Sequence, residues 1–295
     1  MPTTTIVPAA KKAVQLTITL TSPLHHGAGS SGNTSLMRTQ EVMQPGGGSV
    51  RVPFVSGASV RHHLRDVLAW RMADILGWEP ESLSKAAVDL LWTGGAVTKT
   101  GAVTDLAMAR RVEDAVPSLA AFGYAAQSDI ITGTVRATDL ILACAENAWR
   151  LPESLPAEVT ARRAAHYRTD EFGTRHDVAT TPVARLVQHA DMLAGVKTTQ
   201  MIWDMQLLKA GSMLHGALTL TPAATDAHDM ILAAAVALWA PDGEAQIGAK
   251  GAQGYGRCRV DGIDPSWAAA GLAAWEAHVT AHADDITAVV QDLTA

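Results

Sequence analysis

Residues 14–21 read VQLTITLT, which puts Val14, Leu16, Ile18 and Leu20 on one side of an extended chain. A period of two with one apolar side is the pattern of a half-buried β-strand. The next strongly periodic stretch has a different repeat. Over residues 59–76, Val60, Leu64, Val67, Leu68, Ile75 and Leu76 recur at helical spacing, with Ser59 as the expected N-cap and Gly77 as the stop. A short strand, VRVPFV (50–55), precedes this helix after the breaker PGGG. Strand-like sequence returns at 131–142 and 211–221, an apolar helix spans 226–239 up to Pro241–Gly243, and a last strand covers about 255–262. The core order is therefore strand, helix, strand, strand, helix, strand. That is an α+β fold with a ferredoxin-like, or RRM-like, core.

Residues 77–125 and 155–200 interrupt this core and read as insertions. From Pro265 the chain becomes an amphipathic helix through 295, with Ala268, Leu272, Trp275, Val279, Ile286 and Leu293 on one face. Without an internal repeat or a long linker, residues 1–295 are expected to form one elaborated domain. The sequence has no apolar run long enough to span a bilayer and no signal-peptide core near its start. Cys144 and Cys258 lie far apart, so a disulfide framework is not expected and a cytoplasmic location is the default.

The net charge of −6 argues at first against a nucleic-acid partner. Its distribution alters that conclusion. Residues 261–295 hold Asp261, Asp264, Glu276, Asp284, Asp285 and Asp292 and no Lys or Arg, so 6 of the 29 acids sit there and the remaining 23 balance the 23 bases. Phosphate binding depends on the local field of a groove rather than on the total charge.

Several motifs have a bland reading beside a functional one. Gly27–Gly32 (GAGSSG) fits G-x-G-x-x-G, but a dinucleotide site needs a helix opening there and an acid about 20 residues on, and 50–55 holds none. A flexible loop is the simpler expectation. His25 and His26 are adjacent, and on an extended segment adjacent side chains point to opposite sides, which does not suit one metal. His278 and His282 stand one helical turn apart on an acidic helix, and chance accounts for that spacing. Zinc-binding, phosphate-loop and nucleophile-elbow motifs are missing. Two features carry more. Arg61, His62 and Arg65 crowd the start of the first helix, where they oppose the helix dipole unless an anion docks there; a solvated basic face is the alternative. The segment Gly248–Gly256 carries Lys250, Gln253 and Tyr255 and leads into Arg257. It reads equally as a loop that approaches a nucleic-acid backbone, with Tyr255 to stack, or as a long connection between strands.

Two of these stretches, taken together, resemble a known family. SPLHHGAG (22–29) after a strand, then Arg38, then VPFVSGASVRHHLR (52–65) opening a helix, is similar to the RAMP superfamily of CRISPR proteins. IGAKGAQGYGRCRV (247–260) resembles its late glycine-rich loop ending in G-Y-G-R. Within the superfamily the chain looks like the backbone subunit, the Cas-seven family, in its type III and especially type IV versions. The resemblance implies guide-RNA binding, assembly with further copies into a helical filament, association with other CRISPR effector subunits, and presentation of the guide to a complementary target nucleic acid. It implies finger-like residues at 77–125 and a thumb-like insertion at 176–208. It places His25, His26, Arg38, Ser56, Ser59, Arg61, Arg65, Lys250, Gln253, Tyr255 and Arg257 at the RNA, with no cofactor and no metal.

One departure bears on chemistry. The type III pattern carries a cleaving Asp shortly before the Arg, whereas here GNTSLMR (32–38) has Asn33 nearest that place and no acid lies between Pro23 and Arg38. An amide cannot serve as a carboxylate base or metal ligand. A binder rather than an enzyme is expected. The alternative is a RAMP endoribonuclease that processes guide RNA with His25 or His26 as general acid or base.

Overall fold

The computed structural model describes residues 12–100, 104–175 and 201–295. The strands in chain order are β1 (Lys12–Leu20), β2 (Gly27–Ser31), β3 (Thr34–Met37), β4 (Thr39–Met43), β5 (Ser49–Val55), β6 (Tyr124–Ala126), β7 (Asp129–Ile131), β8 (Val135–Ala137), β9 (Leu140–Leu142), β10 (Arg168–Arg175), β11 (Met201–Leu208), β12 (Met213–Leu220), β13 (Glu244–Gln246) and β14 (Arg257–Asp261). The helices are α1 (Gly57–Ile75), α2 (Lys85–Val88), α3 (Leu106–Ala115), α4 (Pro117–Phe122), α5 (Ala157–Thr160), α6 (Ala164–Tyr167), α7 (Asp226–Trp239), α8 (Pro265–Ala281) and α9 (Ala283–Thr294).

The main sheet runs β13-β14-β1-β12-β9-β5-β4, with β8 also on β12. β1 is antiparallel to both β12 and β14, and β12 is antiparallel to β9. Taking β1, β9, β12 and β14 as the four core strands, the spatial order is fourth, first, third, second, with α1 and α7 as the crossovers. This is the ferredoxin-like arrangement expected from the order of periodicities. The alternation in β1 does what its sequence implies: Val14, Leu16, Ile18 and Leu20 are buried. On β12, Leu214, Leu218 and Leu220 face the same way, and α1 meets them with Val60, Leu64, Leu68 and Met72.

α7 is buried nearly all round because it is enclosed on two sides. α8 packs across its outer side, and Gly271 sets their separation. A Cβ at Gly271 would stand 2.2 Å from the Ala233 Cβ, so only glycine permits this approach.

Local expectations were corrected in four places. The N-cap of α1 is Ser56, not Ser59: the Ser56 Oγ accepts from the Ser59 N–H at 3.3 Å, and the helix ends at Ile75 ahead of Gly77, whose φ is 60°. Residues 131–142 are cut into β7, β8 and β9, each only three residues long. The tail is two helices, because His282 leaves helical geometry at φ −113° and redirects the chain so that α9 covers α2 and α3. Gly27–Gly32 is not a loose loop. It forms β2 and the turn into β3, which leaves no helix to open a dinucleotide site.

The insertion at 77–125 is largely helical and lies over α1, α7 and α9. The hairpin of β10 and β11 joins β3 and β2 in a second sheet ordered β10-β11-β3-β2. It starts at Arg168, ahead of the 176–208 boundary expected from sequence, and residues 176–200 lie outside the described residues.

Candidate nucleic-acid interface

The two glycine-flanked motifs meet in space. The Ala249 N–H donates to the His25 carbonyl at 2.8 Å, and the Gly256 N–H donates to the Pro23 carbonyl at 2.8 Å. The Thr21 N–H donates to the Arg257 carbonyl at 2.9 Å, and the Arg257 N–H to the Ser22 Oγ at 2.9 Å. Gly256 makes this crossing possible. Its φ is +77°, and a Cβ there would lie 1.9 Å from the Ile247 carbonyl oxygen. His63 of α1 hydrogen-bonds the Gly248 backbone, so the helix joins the same junction.

His25 is buried, and its Nδ1 bonds the Gln206 carbonyl of β11 at 2.9 Å. The His26 Nε2 accepts from the Ser56 N–H at 3.2 Å, which fixes that nitrogen as the unprotonated one. Burial, then the Arg38 charge, push the His26 pKa down to about 4. Its ring meets Phe54 edge-on, with centroids 6.3 Å apart. Both histidines thus tie backbone segments together.

The start of α1 is already satisfied. The Gly57 N–H donates to the Asp139 Oδ1 at 2.9 Å, so a protein carboxylate holds the place expected for a docked anion. Arg61 and Arg65 turn away from that end. Arg65 donates to the carbonyls of Thr93 (3.2 Å), Phe122 (3.0 Å) and Gly123 (3.0 Å), and Arg61 also donates to the Phe122 carbonyl. They satisfy carbonyls left over at the end of α4. Burial, then the Arg61 charge, lower the Arg65 pKa to about 10, a cost met by these bonds. Arg61 and Arg65 therefore brace α1 against the 77–125 insertion, where sequence position alone leads to the expectation of a phosphate grip.

The other expected residues stay at the surface or bridge to the hairpin. Arg38, Gln253 and Arg257 are exposed. The guanidinium groups of Arg38 and Arg257 make no ion pair or hydrogen bond among the described residues. Lys250 takes a left-handed backbone (φ 62°) and sets its Nζ 5.2 Å from the Trp203 ring centroid. Tyr255 reaches across to the hairpin. Its hydroxyl is hydrogen-bonded to Glu171 of β10, and burial, followed by this contact, pushes its pKa up to about 12. The glycine-rich segment is thus pinned to β10 and β11 at two points. The Ser56 hydroxyl is occupied by the cap, to which Ser59 contributes its backbone N–H.

Asp139, Glu171, Trp203 and Gln206 were missed in the sequence. Asp139 lies in the short link between β8 and β9, and Glu171, Trp203 and Gln206 lie on β10 and β11, whose register nothing in the chain announces. Asn33 sits in the β2–β3 turn, where its carbonyl accepts from the Asp204 N–H at 3.2 Å. Among the described residues, no group of three or more His, Cys, Asp or Glu could hold a metal ion. His278 and His282 stack at 4.2 Å, with His278 Nε2 bonded to the Ala115 carbonyl and His282 Nδ1 to the His278 carbonyl. No helix among the described residues is long and apolar enough to cross a membrane.

The acids of 261–295 are largely used locally. Glu276 pairs with Arg71 at 2.7 Å, Asp292 with Arg111 at 2.8 Å, and Asp264 caps α8.

No family model and no curated protein matches the chain. The fold is similar to that of a solved chain from a "Type IV-B CRISPR Complex", with a TM-score of 0.56 and 18% identity over 84% of this chain and 89% of that one. At that identity the likeness is one of fold.

Proposed function

We propose that this chain is a guide-RNA-binding backbone subunit of a type IV-like CRISPR ribonucleoprotein, working in the cytoplasm. Further copies of it would assemble along the guide into a helical filament, beside other effector subunits, and present the guide for pairing with a target. The observation that carries this reading is the junction at His25–Ala249, where two sequence motifs more than two hundred residues apart form one surface edged by Arg38, Lys250 and Arg257. The likeness of fold to a chain of a CRISPR complex supports it. These three cations are the phosphate contacts in this reading, while Arg61 and Arg65 hold the scaffold behind them.

The chain binds RNA without cutting it in this proposal. An endoribonuclease using His25 or His26 is disfavoured, because His25 is buried and bonded and the low pKa of His26 leaves it without a proton to donate near neutral pH. Co-expression with a guide RNA followed by purification tests the reading. Particles with a nucleic-acid absorbance ratio and a helical outline in electron micrographs are expected. A monomer free of nucleic acid would sink the proposal.

A further inference from the structure

The face of the main sheet turned away from α1 and α7 carries a second polar feature. Register places Thr17 opposite His215, His215 opposite Ile141, and Ile141 opposite Phe54, so these side chains form one row across β1, β12, β9 and β5. The row leads to the junction described above, since the Phe54 ring meets His26 and its N–H faces the Arg38 carbonyl at 3.5 Å. In the middle of the row lies a pocket of about 340 Å³, lined by Gln15, Gln40, Asp139, Ile141, Arg150 and His215 among others.

Its polar groups are incompletely used. The Gln40 Nε2 and His215 Nδ1 are buried without a hydrogen-bond partner among the described residues. Asp139 spends only Oδ1 on α1, and Arg150 spends Nε and Nη2 on the Asn147 Oδ1 (3.0 and 2.7 Å). Buried polar atoms without partners cost on the order of 1–3 kcal/mol each and mark a site that completes itself with something else. The volume far exceeds the roughly 30 Å³ share of one bridging water and sits at the small end of ligand pockets.

We propose that this pocket receives a single unpaired nucleobase of the bound RNA strand. The inference rests on the RNA-binding reading. Donors and acceptors on one rim, Ile141 and the backbone of Gly216 below, and the unspent Nη1 of Arg150 match a flat heterocycle with a phosphate beside it. The row ending at Arg38 gives the strand a path from the junction to the pocket.

The test is fluorescence anisotropy at fixed salt with a labelled single-stranded RNA and with an abasic ribose-phosphate oligomer of the same length. Wild-type protein is expected to bind the RNA about tenfold more tightly than the abasic oligomer. Gln40→Leu combined with His215→Leu removes the polar rim, and Ala217→Phe fills the pocket while keeping Gln40 and His215 in the chain. Both should reduce the preference to within about twofold, with the salt slope unchanged. Thermal unfolding checks that each variant folds. A preference kept by a folded Ala217→Phe protein overturns the pocket assignment. Equal wild-type binding to both oligomers overturns it as well but leaves the RNA-binding reading standing, whereas no binding to either defeats that reading itself. Displacement by free adenosine monophosphate as strong as by the RNA would assign the pocket to a free nucleotide and overturn the strand reading.

Discussion

Arg61 and Arg65 on α1, and Lys250 and Arg257 around the glycine-rich segment, belong to the two motifs that meet at the His25–Ala249 bridge. Their charges are spent in different ways. The helix pair stands beside an apolar face, so its guanidinium groups are drawn under the protein to the carbonyls of Phe122, Gly123 and Thr93. Arg257 leaves a glycine with positive φ and projects from an edge, and Lys250 lies over an aromatic ring that does not neutralise it. A basic residue at an amphipathic boundary is readily taken over as a cap, whereas one on a tightly folded loop stays available.

The comparison breaks most severely at Gly256. Gly256→Ala forces a Cβ onto the Ile247 carbonyl and a side chain into the left-handed region, so a loss of about 3 kcal/mol is expected in thermal denaturation. Stability equal to wild type would mean that the two motifs do not cross as described. Next, Arg65→Met should cost about 2 kcal/mol by stranding the buried Gly123 carbonyl and leaving Arg61 alone on that of Phe122, and should leave the salt dependence of RNA binding alone.

Lys250→Ala with Arg257→Ala should show the opposite pattern. Stability should change by no more than about 0.5 kcal/mol, while the slope of log affinity against log salt falls by about 0.7 per lost phosphate contact. An altered slope in Arg65→Met, or an unaltered one in the double variant, would undo the contrast. A pH response at His26 tests the same junction. His26 is lowered from 6.5 to about 4 in the folded chain. Between those values the unfolded chain binds a proton that the folded chain refuses, so stability falls as pH drops from about 6.5 to 4 and levels off below. About 1–2 kcal/mol is expected after allowance for solvent at a half-buried ring. A flat profile in His26→Gln beside a sloping wild type is the check.

The period-two and period-3.6 stretches made the central strands and the two large helices legible, because burial on one face leaves a repeat in the sequence. Short strands leave none: β8 and β9 merged into one expected strand, and β2 and β3 were hidden in a glycine-rich stretch. The junction was legible as motifs but not as contacts. Ser56 and Asp139 share the helix start that carries Arg61, and nothing local to TDL (138–140) signals that its acid caps a helix 82 residues earlier. Glu171 and Trp203 reach the glycine-rich segment only through the register of β10 with β11.

The position of β1 has a consequence for how the molecule is made. Both strands that flank it, β12 and β14, come after residue 212. At ribosomal rates of about 5–20 residues per second, an emerging β1 waits roughly ten to forty seconds before its first neighbour exists. During that time four large aliphatic residues and two open strand edges are exposed. A strand paired only over such distances in sequence slows folding, so the yield is expected to respond to growth temperature more steeply than the final stability does.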